Sequence, residues 1–320
     1  MISLEGKIIR GIAGFFDVRV TKDIVYRCRA KGTFRREGLR PVTGDNVSFE
    51  VTHEGDREGN LTDVHPRKNA LLRPPVTNVD MAVLVFAYGS PAVSHYLLDR
   101  FLIMMRQKEV PVILVFNKKD LAEDSEVLET ERVYAEAGCQ VFSVSAHTRE
   151  GIDAVVLELL GKTAVVAGPS GVGKSSLINL LTGSEQMETG ALSDKIGRGK
   201  NTTRHSELFE IDASLFPAGT DEKLAEQTYV CDTPGFMSLK PEGIEPRDLH
   251  LYYPEFTKRD AGCRFGGCTH LSEPDCAVKE ALFRGEIPQI RYDTYKLLYE
   301  ELSGARPVYV KKAKKEQRQL

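Results

Sequence analysis

Gly168-Pro169-Ser170-Gly171-Val172-Gly173-Lys174-Ser175 fits the pattern G-x-x-x-x-G-K-[ST] in full. It follows an apolar run at residues 164–167 and opens an amphipathic stretch at residues 175–181. A strand, a glycine-rich loop and a helix in this order indicate a phosphate-binding loop, because backbone N–H groups and the helix N-terminus attract phosphate oxygens. We expect Lys174 to contact the β- and γ-phosphates and the Ser175 hydroxyl to bind Mg²⁺.

Short apolar runs on both sides of this loop suit strands that are buried on both faces of a parallel sheet. They lie at residues 81–87, 112–116, 141–144, 164–167 and 228–231. Helical patterns separate them, at residues 96–107, 126–137, 151–160 and 175–181. Alternating strands and helices predict a doubly wound α/β domain, which we place at residues 73–245.

Asp232-Thr233-Pro234-Gly235 follows the last of these strands. A carboxylate at the end of a strand beside a phosphate-binding loop is expected to meet Mg²⁺ through water. Gly235 would let its backbone amide approach the γ-phosphate. The position of this motif therefore adds Asp232 and Gly235 to the predicted nucleotide site.

Asn117-Lys118-Lys119-Asp120 follows the strand at residues 112–116 and predicts which base is bound. The Asp120 carboxylate can accept hydrogen bonds from guanine N1–H and from the exocyclic amine, whereas adenine would leave it unpaired. Asn117 would tie the loop to neighbouring segments, and the stem of Lys118 can cover the base. Ser145-Ala146, after another strand, fits a second guanine loop whose backbone amide meets the base oxygen.

The order of these motifs is unusual. In an ordinary GTPase the phosphate-binding loop comes first, whereas here the guanine motifs precede it. The same sheet can form if the original termini are joined and a new break opens elsewhere, since domain termini often lie close together. The sequence therefore predicts a circularly permuted GTPase domain. The segment after Gly235 then leads into residues 246–320, and we hypothesise that the γ-phosphate state moves that region.

Switch I is expected between Gly183 and Ser206, in a glycine-rich, basic segment. Thr203, or else Thr202, is the candidate hydroxyl that completes the Mg²⁺ shell. Phe236 stands where many GTPases carry a glutamine that orients water, and a phenyl ring cannot polarise water. Intrinsic hydrolysis is therefore expected to be slow without a partner.

Residues 1–72 read as short strands separated by turns, which predicts a small closed β-barrel of the OB type. Residues 1–40 carry ten Lys/Arg against four Asp/Glu, and the end of the chain from residue 306 is also basic. Basic ends favour a polyanionic partner such as RNA, although solvated surfaces would carry the same charges. The whole chain has a net charge of −3, which argues against a uniformly basic nucleic-acid binder but leaves room for local basic patches.

Cys263, Cys268, His270 and Cys276 lie within fourteen residues. Three thiolates and one imidazole satisfy a closed tetrahedral Zn²⁺ site, so we predict one structural zinc ion. Free cysteines beside a surface histidine are the alternative. Helical patterns follow the cluster, and residues 246–320 are therefore expected to form a mostly helical zinc-binding domain with a basic tail.

Taken in this order, the motifs resemble the RsgA-type GTPases of small ribosomal subunit biogenesis, also called YjeQ/YloQ. The resemblance covers essentially the whole chain and includes shorter motifs: Gly44-Asp45-Asn46-Val47, Pro66-Arg67-Lys68-Asn69, Asn78-Val79-Asp80 and Gly197-Arg198-Gly199-Lys200. It implies a cytoplasmic bacterial enzyme that acts late in 30S assembly. Such an enzyme binds the subunit and its 16S rRNA near the decoding region, hydrolyses GTP to GDP when the subunit stimulates it, and leaves.

One position departs from the family. The family usually has a histidine before the threonine pair of switch I, and this chain has Asn201. Asparagine can orient water but cannot accept a proton at neutral pH, and His205 is a possible substitute. We therefore group Lys174, Asn201, Thr203 and His205 as catalytic candidates.

The residues expected at the nucleotide are Asn117, Lys118, Lys119, Asp120, Ser145, Ala146, the loop from Gly168 to Ser175, Ser176, Asp232 and Gly235. Ser175, Thr203 and Asp232 are the expected Mg²⁺ ligands. Two other classes stay open: an RNA-binding module whose nucleotide only gates affinity, and a P-loop nucleotide kinase, in which Asn117 and Asp120 would have no purpose.

The chain shows no secretory signal and no apolar run close to the roughly 20 residues that a membrane helix needs. We therefore expect a cytoplasmic protein, and we expect it to be a monomer.

Overall fold

The structure is a computed structural model that describes residues 2–32, 34, 38–72, 75–183, 206–232, 241 and 243–304. The chain divides into two compact units. The larger comprises Met1–Val93, Phe101–Ala135 and Cys139–Lys240, and the smaller comprises Ser94–Arg100, Glu136–Gly138 and Pro241–Leu320. Within the described ranges, no helix is both long enough and apolar enough to cross a membrane.

A closed five-stranded barrel opens the larger unit. Its strands are β1 (Ser3–Ile12), β2 (Phe15–Thr21), β3 (Ile24–Ala30), β4 (Asn46–His53) and β5 (Glu58–Val64). They join in the order β1-β2-β3-β5-β4, with β3 and β5 parallel and the other described pairs antiparallel. Alternate side chains point inward, and Ile8, Val18 and Phe49 form part of a fully buried core. The prediction of an OB-like barrel is confirmed.

A six-stranded sheet forms the centre of the same unit, in the order β10-β9-β8-β11-β13-β12. A two-stranded ribbon, β6 (Ala70–Leu72) and β7 (Pro75–Thr77), precedes it. The sheet strands are β8 (Met81–Ala87), β9 (Val112–Asn117), β10 (Gln140–Ser143), β11 (Thr163–Ala167), β12 (Leu208–Glu210) and β13 (Tyr229–Asp232). All neighbours are parallel except β12 and β13. The doubly wound sheet is confirmed, although its antiparallel edge strand β12 carries no apolar run that would reveal it.

Five helices accompany this part of the chain: α1 (His95–Gln107), α2 (Asp124–Glu136), α3 (Ile152–Leu159), α4 (Lys174–Thr182) and α5 (Glu222–Glu226). The strands β8 and β11 are buried along their whole length because helices cover both faces of a parallel sheet. Val155, Leu159 and Leu177 pack from α3 and α4 onto the strand core.

The short motifs around Asp45 and Arg67, to which the sequence alone assigns no role, stabilise the connection that follows the barrel. The Asp45 carboxylate is fully buried. It accepts hydrogen bonds from Nε and Nη2 of Arg67, at 2.7 and 2.8 Å, and from the Thr77 hydroxyl at 2.7 Å. A buried charge needs such partners because it has lost its hydration. Asp45 therefore fixes the chain where it leaves the barrel.

Two asparagines complete this connection. Asn69 exchanges two hydrogen bonds with the backbone of Val79, at 2.8 and 2.9 Å. The Asn78 side chain donates to the Gly44 carbonyl at 2.9 Å and accepts from the Lys68 amide at 2.9 Å. Side-chain amides supply both a donor and an acceptor, so they can replace ladder bonds where the strands stop.

The barrel also contacts the central sheet directly. Nζ of Lys7 donates to the Thr163 hydroxyl, at the start of β11, at 2.8 Å. The buried Thr43 hydroxyl donates to the Ser206 carbonyl at 2.9 Å, and Arg19 forms an ion pair with Glu210 on β12. The edge strand β12 is therefore held between β13 and the barrel.

The smaller unit is helical. It contains 3₁₀ turns at Pro246–Tyr252 and Asp260–Gly262, and helices α6 (Pro254–Thr257), α7 (Ala277–Phe283) and α8 (Gln289–Leu302). The predicted helical region after residue 246 is confirmed for its described part. The basic tail at residues 306–320 lies outside the described residues.

A buried ionic cluster lies inside this unit. Nε of Arg291 donates to Glu255 at 2.7 Å, and its Nη1 contacts Asp99, which also accepts hydrogen bonds from Thr294 and Tyr253. Burial lowers the pKa of Arg291, but the fields of Asp99 and Glu255 outweigh it and leave the pKa well above its usual range. Burial raises the pKa of Asp99, and the guanidinium of Arg291, which Asp99 shares with Glu255, offsets only part of this shift.

Replacing Arg291 with methionine is expected to destabilise the smaller unit by about 3–5 kcal/mol, because two buried carboxylates lose their counter-charge. Urea unfolding of the full chain at pH 7, followed by circular dichroism, measures this. Acidification should shrink the deficit, since protonation neutralises the carboxyl of Asp99, whose pKa is already raised in the folded state.

The matched control is Arg284→Met, which removes an exposed arginine paired with Glu286. Its unfolding midpoint should stay close to that of the parent chain, because exposed ion pairs contribute little. A deficit in Arg291→Met no larger than in this control would show that the buried cluster does not stabilise the unit.

Candidate nucleotide site and metal centre

The glycine-rich loop lies between the end of β11 and the start of α4. A Cβ at Gly168 would stand 2.1 Å from the carbonyl oxygen of Val85, so no larger residue fits there. Gly173 has φ +88°, and a Cβ there would meet Nδ2 of Asn117 at 2.2 Å. The two glycines are therefore required by close backbone approach and by a left-handed conformation.

Lys174 and Asp232 meet at the same edge of the sheet. Asp232 is the last residue of β13, which runs parallel to β11 with Val166 opposite Asp232. Nζ of Lys174 lies 3.6 Å from Oδ1 of Asp232. That oxygen is buried and accepts no hydrogen bond from the described residues. A buried carboxylate oxygen that lies beside the loop and near the Lys174 cation fits the prediction of a hydrated Mg²⁺ at this point.

Asn117, at the end of β9, joins three loops. Its Nδ2 donates to the Val172 carbonyl in the glycine-rich loop at 2.9 Å, and its Oδ1 accepts from the Ala146 amide at 2.9 Å. The structure thus brings the two guanine motifs and the phosphate loop together. The Ala146 amide thus donates its hydrogen bond to Asn117, and the spacing of the motifs in the sequence does not reveal this contact.

Lys118 joins the glycine-rich loop to the segment at Ser90 and Pro91, which forms a side of the site that the sequence motifs did not predict. Its Nζ donates to the carbonyl of Gly171 at 2.7 Å and to that of Ser90 at 2.5 Å. Ser90 follows the end of β8, and Pro91 lies against Gly171. The turn sequence at residues 88–91 could have indicated this segment, because it directly follows a buried strand and therefore lies at the same edge of the sheet.

The remaining guanine-motif side chains differ in exposure. Asp120 is exposed in a 3₁₀ turn, and Lys119 beside it pairs with Glu150 at 2.6 Å. Ser145 is buried and accepts from the amide of Thr148 at 3.1 Å, which shapes its loop. Asp120 therefore stands at the surface of the site, whereas Ser145 holds the loop from inside.

Two further predicted residues, Ser175 and Ser176, lie in the first turn of α4. The other predicted site residues lie outside the described part of the chain: Asn201, Thr202, Thr203, His205, Gly235 and Phe236.

The predicted metal ligands converge in the smaller unit. The Sγ atoms of Cys263, Cys268 and Cys276 and one ring nitrogen of His270 all lie within 4.8 Å of one another. Nδ1 of His270 is 3.4 Å from Sγ of Cys276 and 3.7 Å from Sγ of Cys263. Tetrahedral bonds of roughly 2.0–2.3 Å would separate such ligand atoms by about 3.5–3.8 Å. The cluster therefore has the dimensions of a metal site.

The thiols of this cluster need a positive partner to ionise. Burial raises the pKa of the Cys268 thiol to about 12 and also raises the pKa of Cys276. A metal ion reverses this preference because it binds the thiolate directly. The donor set therefore fits a metal better than it fits free thiols.

Residues around the ligands orient them. Nε2 of His270 faces Oδ1 of Asp260 at 3.0 Å, and the other oxygen of Asp260 lies 3.5 Å from Nε2 of His250. A carboxylate on the far ring nitrogen leaves Nδ1 available for a metal. No spacing rule points to Asp260 or His250 in the sequence, because the fold brings them to the histidine.

Glu273 shapes the turn between the ligands. It accepts hydrogen bonds from the amide and hydroxyl of Thr269 and from the amide of Leu271. Partial burial raises the pKa of Glu273, but these hydrogen bonds outweigh it and lower the pKa to about 2. The carboxylate thus stays charged and holds the turn across the physiological range.

We expect the purified chain to carry one metal ion, measured by inductively coupled plasma mass spectrometry, and Cys276→Ser to lose it. Loss should lower the unfolding temperature, because metal binding contributes to folding free energy. Cys139→Ser, outside the cluster, is the control and should keep the metal. Full metal content in Cys276→Ser would contradict the assignment of this ligand.

Comparisons with known proteins agree with this geometry. The family model described as RsgA GTPase matches residues 64–242, and that of the RsgA N-terminal domain matches residues 5–59. A relative from Agathobacter rectalis named small ribosomal subunit biogenesis GTPase RsgA is 49% identical over 311 residues, covering 94% of this chain and 99% of the relative. A relative of the same name from Bacillus subtilis is 39% identical over 312 residues, covering 95% and 99%.

Two solved structures share the architecture. The crystal structure of YjeQ from Thermotoga maritima matches with a TM-score of 0.76 and 32% identity, over 95% of this chain and 100% of that one. YloQ, described as a circularly permuted GTPase, matches with a TM-score of 0.74 and 33% identity, over 96% and 98%. The family matches cover more than half of the chain, and the relatives cover nearly all of it. The chain belongs to the RsgA GTPase family.

Proposed function

We propose that this protein hydrolyses GTP as a late assembly factor of the 30S ribosomal subunit. The observation that carries the proposal is the meeting of Lys174, Asp232 and Asn117 at one sheet edge. Asn117 donates a hydrogen bond to the glycine-rich loop, and Nζ of Lys174 in that loop lies 3.6 Å from Oδ1 of Asp232. This edge combines a cation for phosphates, a buried carboxylate oxygen and the loop that precedes Asp120. The curated relatives are named for small-subunit biogenesis, which supports the biological setting.

The phosphate loop, the expected Mg²⁺ ligands and Gly235 have separate roles in GTP hydrolysis. Backbone N–H groups at residues 168–175 bind the phosphates, and Lys174 stabilises negative charge that develops during in-line attack by water. Ser175, Thr203 and Asp232 would hold Mg²⁺, which neutralises phosphate charge when it is bound with GTP. Gly235 would donate its amide to the γ-phosphate.

The residue that positions the attacking water is proposed to lie in switch I. Asn201 can orient water through its amide, and His205 is the nearby group that can accept a proton. Asn201→His restores the residue usual in the family. We expect it to raise turnover by about tenfold or more, measured as phosphate release under saturating GTP. Turnover equal to that of the parent chain would remove Asn201 from the catalytic candidates.

Asp120 is proposed to select guanine. Asp120→Asn should weaken GTP binding by on the order of 100-fold or more, because the side-chain NH₂ would face the exocyclic amine of guanine. Xanthosine triphosphate carries an oxygen there, and the variant should prefer it. Competition against a fluorescent guanine nucleotide measures both effects.

Asp124→Asn, at the start of α2, is the matched control and should keep the preference for GTP. If Asp120→Asn binds GTP as tightly as this control does, the base is recognised elsewhere.

We infer that the metal is zinc and that its role is structural. Three thiolates and one imidazole fill a tetrahedral shell, so no position is left open for a substrate. The metal ligands lie among the 3₁₀ turns and short helices of the smaller unit, and a metal ion offsets the entropy of ordering the loops between them.

The barrel is proposed to bind 16S rRNA. Arg27 and Arg29 are exposed on β3, and their guanidinium carbons lie 5.0 and 4.8 Å from the centroid of the Phe15 ring. Cations beside an aromatic ring suit phosphates and unstacked bases. The division into an RNA-binding region at 1–72, a GTPase region at 73–245 and a zinc region at 246–320 is part of the proposal, as are a cytoplasmic location and a monomeric state.

GTP turnover with and without purified 30S subunits tests the proposal, with ATP as the substrate control. We expect 30S subunits to stimulate turnover of GTP, and not of ATP, by about 100-fold or more. A GTPase with slow intrinsic hydrolysis is accelerated when a partner supplies a catalytic group or orders the residues of its site. Lys174→Ala should abolish stimulated turnover while the barrel still binds RNA.

Other outcomes separate the alternatives. Subunit binding without multiple turnover would indicate an RNA-binding module gated by nucleotide. A rate of GTP turnover that 30S subunits do not change would support GTP hydrolysis but would contradict the proposed ribosomal partner. Phosphate transfer to a nucleotide acceptor would indicate a kinase.

A further inference from the structure

A cleft of about 690 Å³ lies between the barrel and the central sheet, within the larger unit. Residues of β1 and β2 line one side, and Gly161, Lys223 and Tyr229 line the other. Lys7 in this cleft bonds Thr163 at the start of β11, whereas the glycine-rich loop follows the end of that strand. Because a strand rises about 3.3 Å per residue, the two places are roughly 15 Å apart. The cleft is therefore distinct from the GTP site.

Among the residues that the structure describes, no carboxylate is in contact with the Lys7 ammonium group in this cleft. Its Nζ donates to the Thr163 hydroxyl at 2.8 Å and lies 5.4 Å from the centroid of the Tyr229 ring. In the described part of the chain, it forms no ion pair within 4.0 Å. A hydroxyl and an aromatic face compensate only part of the lost hydration of an ammonium group.

The carboxylate whose field acts on Lys7 is that of Asp80, and it already has other partners. Burial lowers the pKa of Lys7, and the field of Asp80 opposes this shift only in part. Asp80 pairs with Nζ of Lys68 at 3.1 Å and accepts from the Thr163 amide at 2.8 Å. The positive charge of Lys7 is therefore left for a group that enters the cleft.

The rim adds further positive charge and hydrogen-bonding groups. Lys22 and Lys223 are exposed at the cleft, and the described residues offer neither of them an ion pair. Glu5 and Glu226 also line it. Carboxylates repel a bare phosphate, but they accept hydrogen bonds from sugar hydroxyls and base amines. This mixture fits a ligand that has an anionic end and a hydrogen-bond-donating end.

We propose that this cleft is a second nucleotide site, in which Lys7 binds the phosphate and Lys22 and Lys223 guide it from the rim. Its volume lies in the range of small-ligand sites. The phosphate can belong to a free mononucleotide or to one nucleotide of an RNA strand that reaches the cleft from the barrel. The proposal does not depend on GTP hydrolysis.

The test uses the full chain with its GTP site saturated with GDP and Mg²⁺. Saturation-transfer difference NMR measures the binding of uridine 5′-monophosphate, with uridine as the probe that lacks the phosphate. Fluorescence anisotropy measures binding of labelled hexauridylate. Both are repeated on Lys7→Met, which keeps the aliphatic stem, and on Lys22→Met/Lys223→Met, whose changes lie at exposed positions and spare the fold.

We expect Lys7→Met to weaken binding by about tenfold or more, since a hydrogen bond to a charged group is lost. The double variant should weaken it as well, whereas Lys108→Met, on an exposed residue away from the cleft, should not. Binding of the monophosphate would identify a free nucleotide as sufficient. Binding of hexauridylate alone, weakened by the same variants, would assign the phosphate to RNA.

Two results would overturn the proposal: neither probe binds the GDP-loaded chain, or the cleft variants and Lys108→Met bind alike. Affinity for GDP, measured separately, reports on the GTP site. A chain that does not bind GDP would count against the proposed GTPase function. The cleft would still be tested by the binding of the two probes to its own variants.

Discussion

The side-chain amide of Asn117 holds the nucleotide site together. One end of it accepts from the Ala146 amide, and the other donates to the Val172 carbonyl. Gly173 must lack a side chain because Asn117 occupies that space. Three loops that are far apart in the sequence are thus fixed by one planar group that serves as donor and acceptor at once.

This arrangement depends on the parallel sheet. The strands β8, β9, β11 and β13 end at the same edge, so the loops that follow them emerge side by side. Circular permutation changes the order in which the chain visits these strands but leaves their neighbours unchanged. The chemistry is therefore insensitive to where the chain begins, provided that the sheet order is kept.

The barrel is joined to this sheet mainly by polar groups. The ion pair of Asp45 with Arg67 lies along the connection. The side-chain amides of Asn69 and Asn78 replace ladder hydrogen bonds there by bonding the backbone of Val79 and of Gly44. The ion pair of Arg19 with Glu210 then holds β12 against the barrel. The residues that precede β12 belong to the predicted switch I, so the barrel contacts the strand that this segment leads into. Polar junctions of this kind specify a geometry because each unpaired partner would be costly when buried.

Local patterns alone predicted most of the architecture and the main motifs. The barrel, the buried parallel strands and the metal-ligand spacing follow from periodicity and from residue types that have few alternative uses. The sequence could not reveal β12, the wall at Ser90 and Pro91, or the orientation of His270 by Asp260. Each of these depends on contacts between segments distant in the chain, which no local pattern encodes.

The charge of Lys7 shows the same division. In the sequence it is one of ten basic residues near the N-terminus, with nothing to distinguish it. Only the fold places it in a cleft beside Thr163 and Tyr229, where none of the carboxylates in the described ranges contacts it. The sequence by itself determined which chemical groups the protein has and in which elements they lie. The tertiary structure decided which of those groups are paired, because desolvation and the identity of the neighbours are properties of the folded chain.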